Sequence, residues 1–423
     1  MGARRGSVAR GFDHPAMIGR VARCACWRHR QAARAGAGTR PFVSGWVENV
    51  VRARDLGIVI GQGRHGRLNA ITDVKGVRVG HTTLVRGEGR LVVGQGPVRT
   101  GVTVVVPHEG AIWTEPVFAG GHVLNGNGEL TGMSWVADSG LLTGPIAITN
   151  THSVGVVRDA LVAHAARAHD PEASFWSLPV VGETYDGTLN DINGFHVRPD
   201  HLDAALAGAS DGPVAEGNVG GGTGNVCHEF KGGIGTASRV VAGEPQWVVG
   251  VLVQANYGSR RLLTIAGVPV GRAITTTVVP TPFDDNPAAG AGSIIIVVAT
   301  DAPLLPHQCT RLAQRAGLGL ARSGGYGATS SGDLFVCFAT GNRGMPTTEI
   351  ETESPIVRDL RAVIDQALDP LFEATIEATE EAIANALVAA ETMVGRDGAT
   401  AYALPHDLLV EAMTRHGHLT ATG

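Results

Sequence analysis

Several things are scarce in this sequence, and each scarcity excludes something. Lysine occurs only twice, at Lys75 and Lys231, so nearly all of the 34 basic side chains are arginine. Charged residues make up 17% of the chain and the net charge is -5, which argues against a nucleic-acid surface on the folded body. Cys24, Cys26, Cys227, Cys309 and Cys337 are an odd, scattered set without a CxxC pair. That pattern disfavours a disulfide framework and points to a reducing, cytoplasmic setting. No apolar run approaches the roughly 18 residues of a membrane span. The 16 histidines show no HExxH or comparable ligand spacing, so neither a catalytic metal nor another cofactor is expected.

Glycine, by contrast, is abundant at 59 residues in 423, which implies many tight turns and close backbone approaches. Residues 1–50 are Arg-rich and nearly free of acids, with no apolar core of a signal peptide. They read as a disordered basic extension or an upstream addition, with no part in the fold. From residue 51 to 423 the texture is that of one compact domain. Strands are predicted over 101–107, 144–150, 246–256, 293–300 and 333–340, several of them apolar on both faces. Helices are predicted over 306–323, over 354–370 with Ser354 as N-cap and Pro355 at N1, and from Pro370 to Val394. Buried strands interleaved with helices suggest a layered α/β sandwich.

The stretch "AAGAGSIIIVVATD" (288–301) sets a bare Gly292-Ser293 step after a loop rich in Pro, Asp and small residues and before a β-branched strand. A serine there can attack the carbonyl before it, and Gly292 assists because it tolerates strained backbone and leaves that carbonyl open. The resulting ester, once hydrolysed, frees an α-amine whose ordinary pKa of about 7.7–8.0 suits it to act as base beside its own hydroxyl. By spacing alone, a plain loop-to-strand junction explains the same residues.

Two other signals are weaker. The segment "GNVGGGTGNVCHEFKGG" lacks the Gly-Lys-Ser/Thr ending of a phosphate loop and reads instead as a glycine-rich wall of a substrate pocket. Cys227-His228 are adjacent, and neighbours on a strand face opposite ways, so Cys227 reads as a buried structural cysteine.

Seven ordered blocks bear on function: "NGNGELTG", "ITNTHSVGVVRDA", "VVGETYDGTLNDINGFHV", "GNVGGGTGNVCHEFKGGIGTASR", "VLVQANYG", "GSIIIVVATDAPLLPHQCTRLA" and "SSGDLFVCFATGNR". From about Arg52 to the C-terminus the chain resembles the DmpA-type peptidases, the L-aminopeptidase D-esterase and β-peptidyl aminopeptidase family. The resemblance implies a four-layered α/β/β/α sandwich, similar to N-terminal nucleophile hydrolases but differently connected. It also implies an inactive precursor that cleaves itself between Gly292 and Ser293. The products, 1–292 (51–292 plus the extension) and 293–423, stay together and assemble as a homotetramer.

Carried over residue by residue, Ser293 matches the nucleophile, and Ser331 and Asp333 match the serine and acid that assist it. Asn256 matches the oxyanion-site asparagine and Tyr185 a tyrosine lining the same pocket. Asp333 stands where relatives also carry the longer Glu, which leaves its reach open. Glu129 and Glu183 lie in family-like blocks and are candidates for holding a substrate ammonium group, or are turn and capping acids.

The expected activity is therefore removal of N-terminal residues from small peptides, amides or esters through an acyl-enzyme. The alternatives are acyl transfer, as in the related ornithine acetyltransferase-like fold, and a non-catalytic small-molecule-binding protein on the same fold.

Overall fold

Strands of β-branched residues with both faces apolar need a layer on each side, and that requirement organises this chain. The computed structural model describes residues 50–171, 175–283, 292–345 and 357–419. Val47–Gly423 folds as one unit, whereas the extension over 1–49 lies outside the described residues.

In chain order the strands are β1 (Arg78–Arg86), β2 (Val98–Val106), β3 (Val117–Gly126), β4 (Leu141–Leu142), β5 (Ile146–Asn150) and β6 (Val180–Thr184). They continue with β7 (Val226–Cys227), β8 (Phe230–Lys231), β9 (Gly233–Val241), β10 (Trp247–Asn256), β11 (Ser293–Thr300) and β12 (Gly332–Ala339). The helices are α1 (Met133–Ser139), α2 (Val154–Arg167), α3 (Pro199–Ala207), α4 (Val270–Ala273), α5 (Pro306–Arg322), α6 (Asp369–Val388) and α7 (His406–Arg415).

Of the two large sheets one has the order β1-β2-β5-β6 and the other β4-β3-β12-β11-β10-β9, while β7 pairs with β8 and two further short strands, β13 (Met393–Val394) and β14 (Thr400–Ala401), pair with each other. In β11 the side chains alternate between two cores. Ile294, Ile296 and Val298 pack with Leu312 and Leu320 of α5 and Leu371 and Ile383 of α6, while Ile295 and Val297 meet Val105, Ile146 and Ile148 of the facing sheet. Each such side chain, fully buried, contributes on the order of 1.5–3 kcal/mol. A third core joins Val102, Val104 and Ala147 to Val157 and Leu161 of α2 and Leu202 of α3. Helices, sheet, sheet and helices therefore stack as the expected four-layered α/β/β/α sandwich.

The observed strands overlap the predicted ones closely, as does α5. The helix predicted over 354–370 does not form. Residues 351–356, including its proposed cap, lie outside the described residues, and 357–364 run without helical structure. Of the predicted apolar stripe, Leu360 and Ile364 are exposed while Val363 and Leu368 reach the core, so the residues meant to share one helical face are divided between core and solvent. The backbone is held instead by side chains, Asn342 bonding both N–H and carbonyl of Arg361 and Gln308 bonding the Val363 carbonyl. Downstream, α6 ends at Val388, six residues earlier than predicted.

Its buried acids Glu377 and Glu381 both accept from the fully buried Arg239 at 2.8 and 2.7 Å, which pins α6 to β9.

Candidate active site

Three strand ends meet at Ser293. It opens β11 and faces Asn256, the last residue of antiparallel β10. On the other side β11 runs parallel to β12, so Gly332 and Asp333 begin their strand beside it. The Gly332 N–H donates to Ser293 Oγ at 3.0 Å, a donor suited to steady a developing alkoxide. A side chain on Gly332 would press on the Asn127 carbonyl and the Gly128 backbone, so only glycine brings this N–H so close.

Ser331 Oγ bonds two oxygens, Asp333 Oδ1 at 2.6 Å and the Gly292 carbonyl. A hydroxyl has one proton to give, so both bonds are satisfied together when Asp333 is protonated and donates to Ser331. Burial favours that state, raising the Asp333 carboxyl from 3.8 to about 6 against the opposing Ser331 hydrogen bond. The loop carrying Ser331 is held by "NGNG": Asn125 bonds the Ala328 and Ser331 carbonyls, and Asn127 bonds the Ser330 carbonyl.

Asn256 is fixed at both ends of its amide. Its Oδ1 accepts from the Val226 N–H at 2.8 Å and its Nδ2 donates to the Tyr185 carbonyl at 2.9 Å. The second Nδ2 hydrogen is uncommitted among the described residues. Tyr185 thus enters the site through its carbonyl as well as its half-exposed ring, which lines a cavity of about 30 Å³ with Asn256, Phe283 and Gly292. A smaller cavity of about 10 Å³ lies across Gly292, between Tyr257, Tyr326, Ser331 and Asp333.

Gly292 lies close against the end of β10. Glycine is required there for room. A Cβ would penetrate the Asn256 carbonyl, standing 2.8 Å from its carbon, and would lie 3.2 Å from Nδ2.

Glu183 is buried on β6, accepting from the Glu129 N–H at 3.1 Å and from the Thr151 hydroxyl. Burial raises its pKa, and the nearby Glu129 carboxylate adds to the rise. Gly128 links it to the neighbourhood of Ser293, its ideal Cβ position lying 3.0 Å from Glu183 Oε1 and 3.2 Å from Gly332 Cα. Glu129 is exposed, and only its backbone joins this cluster.

Sequence reasoning missed Thr151, Val226 and the Gly332 N–H. Thr151 sits inside the "ITNTHSVGVVRDA" block, but two backbone donors leave no trace in residue identity. The glycine-rich segment lends the site one residue, Val226, which lines the small cavity beside Asn256. Gly220–Gly222 are buried, and side chains there would strike Thr103 and His81, then Gln254 and the Ile148 carbonyl, then the β9 backbone at Gly233 and Ile234, so glycine allows close packing between layers. Cys227 is buried as expected, its thiol pushed up to about 12, which leaves it inert. His228 is not on a strand with it. It and Glu229, both at positive φ, form the two-residue turn joining β7 to β8. Among the described residues, no three His, Cys, Asp or Glu side chains could hold a metal ion, and no helix is long and apolar enough to cross a membrane.

The chain is similar to known proteins in both sequence and fold. The chain is 49% identical over 379 residues to the β-peptidyl aminopeptidase BapA of Sphingosinicella microcystinivorans, covering 88% of this chain and 93% of that one. A β-aminopeptidase of Burkholderia sp. superimposes with a TM-score of 0.81 at 54% identity, over 87% of this chain and 99% of the other. The L-aminopeptidase D-Ala-esterase/amidase of Ochrobactrum anthropi, described as a variant of the Ntn hydrolase fold, does so with a TM-score of 0.79 at 44% identity, over 87% and 99%. Residues 69–401 match the model of peptidase family S58, to which this chain belongs.

Proposed function

We propose that this S58 peptidase is a self-processing serine aminopeptidase that removes N-terminal residues from small peptides, amides or esters. The observation that carries the reading is the contact of Ser331 with the Gly292 carbonyl, beside a serine at the head of a strand. In the intact chain Ser293 Oγ attacks the Gly292 carbonyl carbon, and the Ser331 proton steadies the oxygen. The C–N bond breaks, the nitrogen ends as a free amine carrying the former hydroxyl proton, and an ester joins Gly292 to Ser293. Water hydrolyses it, giving 1–292 and 293–423.

In the cleaved enzyme the α-amine of Ser293 takes the hydroxyl proton as Oγ attacks a substrate carbonyl, and later returns it to the leaving amine. Asn256 offers its uncommitted N–H to the oxyanion. The two small cavities beside Gly292 fit a precursor whose own residue fills the acyl position until cleavage. In this reading Glu183 holds the substrate ammonium, which makes the site exopeptidase in character. Cytoplasmic residence and a homotetramer of cleaved protomers belong to the same reading.

The test is to incubate purified wild type with β-alanyl and L-aminoacyl anilides and with their N-acetylated forms. Hydrolysis of the free amines alone supports the reading, while equal turnover of the acetylated forms would remove the aminopeptidase assignment.

Glu183→Gln should raise KM for free-amine substrates about 10- to 100-fold, the worth of a charged hydrogen bond, whereas Glu129→Gln should change it far less because that side chain is in water.

Self-cleavage should also respond to pH. Protonated Asp333 lets Ser331 donate to the Gly292 carbonyl, so the cleavage rate should fall as pH rises through about 6. In Asp333→Asn, whose amide always donates, that limb should vanish. Fragment formation followed by gel densitometry across pH 4–8, an interval of about two units either side of that value, reads both.

A further inference from the structure

Lys231 is one of two lysines in the chain, is fully buried, and plays no part in the chemistry above. Its Nζ donates to three carbonyls, those of Gly222 (3.3 Å), Asn225 (2.9 Å) and Gly232 (2.6 Å). Three acceptors suit the three hydrogens of an ammonium, and a neutral amine would turn its lone pair on one of them. Burial lowers its pKa from 10.5 to about 7, with Cys227 and Asp186 nearby opposing the shift. Holding a cation in such a place is costly and calls for a reason.

The Asn225 carbonyl belongs to the same peptide unit as the Val226 N–H, which donates to Asn256 Oδ1. A continuous chain therefore runs from the ammonium, through that peptide, to the Asn256 amide. Each link withdraws electron density from the next, so the last N–H becomes a stronger donor, and each also fixes the orientation of its neighbour.

We propose that Lys231 is a positioning residue for catalysis, acting through the Asn225–Val226 peptide to orient and polarise the Asn256 amide. The proposal rests on the reading of Asn256 as oxyanion donor.

A double-mutant cycle tests it, with kcat and KM measured per cleaved chain on an aminoacyl anilide. Asn256→Ala should lower kcat about 100- to 1,000-fold, and Lys231→Met about 10-fold with KM within about twofold. Lys231→Met added to Asn256→Ala should cost nothing further, because the relay then has no end. Lys231→Gln, which keeps neutral donors and guards against a failure to fold, should lose kcat as the Met variant does. Where a variant does not cleave itself, the rate of chain cleavage is read in the same cycle.

Equal losses from the Lys231 substitution in both backgrounds would overturn the proposal by showing a general structural role, as would full kcat in Lys231→Gln. An Asn256→Ala variant with wild-type kcat would instead sink the oxyanion reading itself, a failure visible before the cycle is closed.

Discussion

Ser293→Ala is expected to remain a single chain of 423 residues and to show no aminopeptidase activity. One oxygen serves both reactions in the proposed mechanism, as attacker of the Gly292 carbonyl and then as carrier of the acyl group. Loss of a serine nucleophile in a well-characterised hydrolase costs about a millionfold in kcat, below detection in ordinary assays. The variant should still fold, since it loses one buried oxygen and leaves the Gly332 N–H unpaired at a cost of about 1–3 kcal/mol. Intact-mass spectrometry of wild type and variant, with N-terminal sequencing of any smaller fragment, distinguishes the outcomes. Wild type should yield a fragment beginning at Ser293. A wild-type chain that stays uncut would refute self-processing, and a cut Ser293→Ala would move the nucleophile elsewhere.

The sheets were legible because their signal is local. A run such as Ile294 to Val298 is apolar at every position, and burial on both faces is the arrangement that uses it. Periodicity failed at 357–364 because it tells which residues would share a face, not whether tertiary contacts will hold the backbone in another shape. Leu360 and Ile364 satisfy the helical spacing and lie in solvent, while Val363 and Leu368 of the same stripe are buried.

At the site, side-chain identities were legible and backbone roles were not. Ser331, Asp333 and Asn256 came from matched blocks and meet around Ser293, but their partners include the Gly332 N–H, the Val226 N–H and the Tyr185 carbonyl. Every residue other than proline carries a carbonyl and an N–H, so no residue type advertises such roles. Lys231 was visible as a rarity, yet its meaning depends on which peptide its ammonium touches. Glu129 and Glu183 looked equivalent in sequence, and the fold separates them by burying only Glu183.

Gly292 shows the same limit, and its substitution separates the two reactions proposed for Ser293. Gly292→Ala should slow self-cleavage about 100-fold or more, since relieving the clash means moving the scissile carbonyl by about 1 Å. Two fixed objects leave no other relief. The Asn256 carbonyl is backbone at the end of β10, paired with Ser293 itself, and on the opposite side the Gly292 carbonyl is held by Ser331. In the proposed mechanism, hydrolysis of external substrates does not require a particular residue at 292, because self-cleavage would make it the C-terminus of the other fragment. The fraction of Gly292→Ala that does cleave should therefore turn over substrate with kcat within about twofold of wild type, a difference too small to mark a lost interaction. Titrating the cleaved fraction by mass spectrometry while measuring hydrolysis distinguishes the cases. Cleavage at the wild-type rate would show that the close approach to Asn256 relaxes freely in solution. Slow cleavage joined to low kcat per cleaved chain would place Gly292 in the substrate site of the mature enzyme as well.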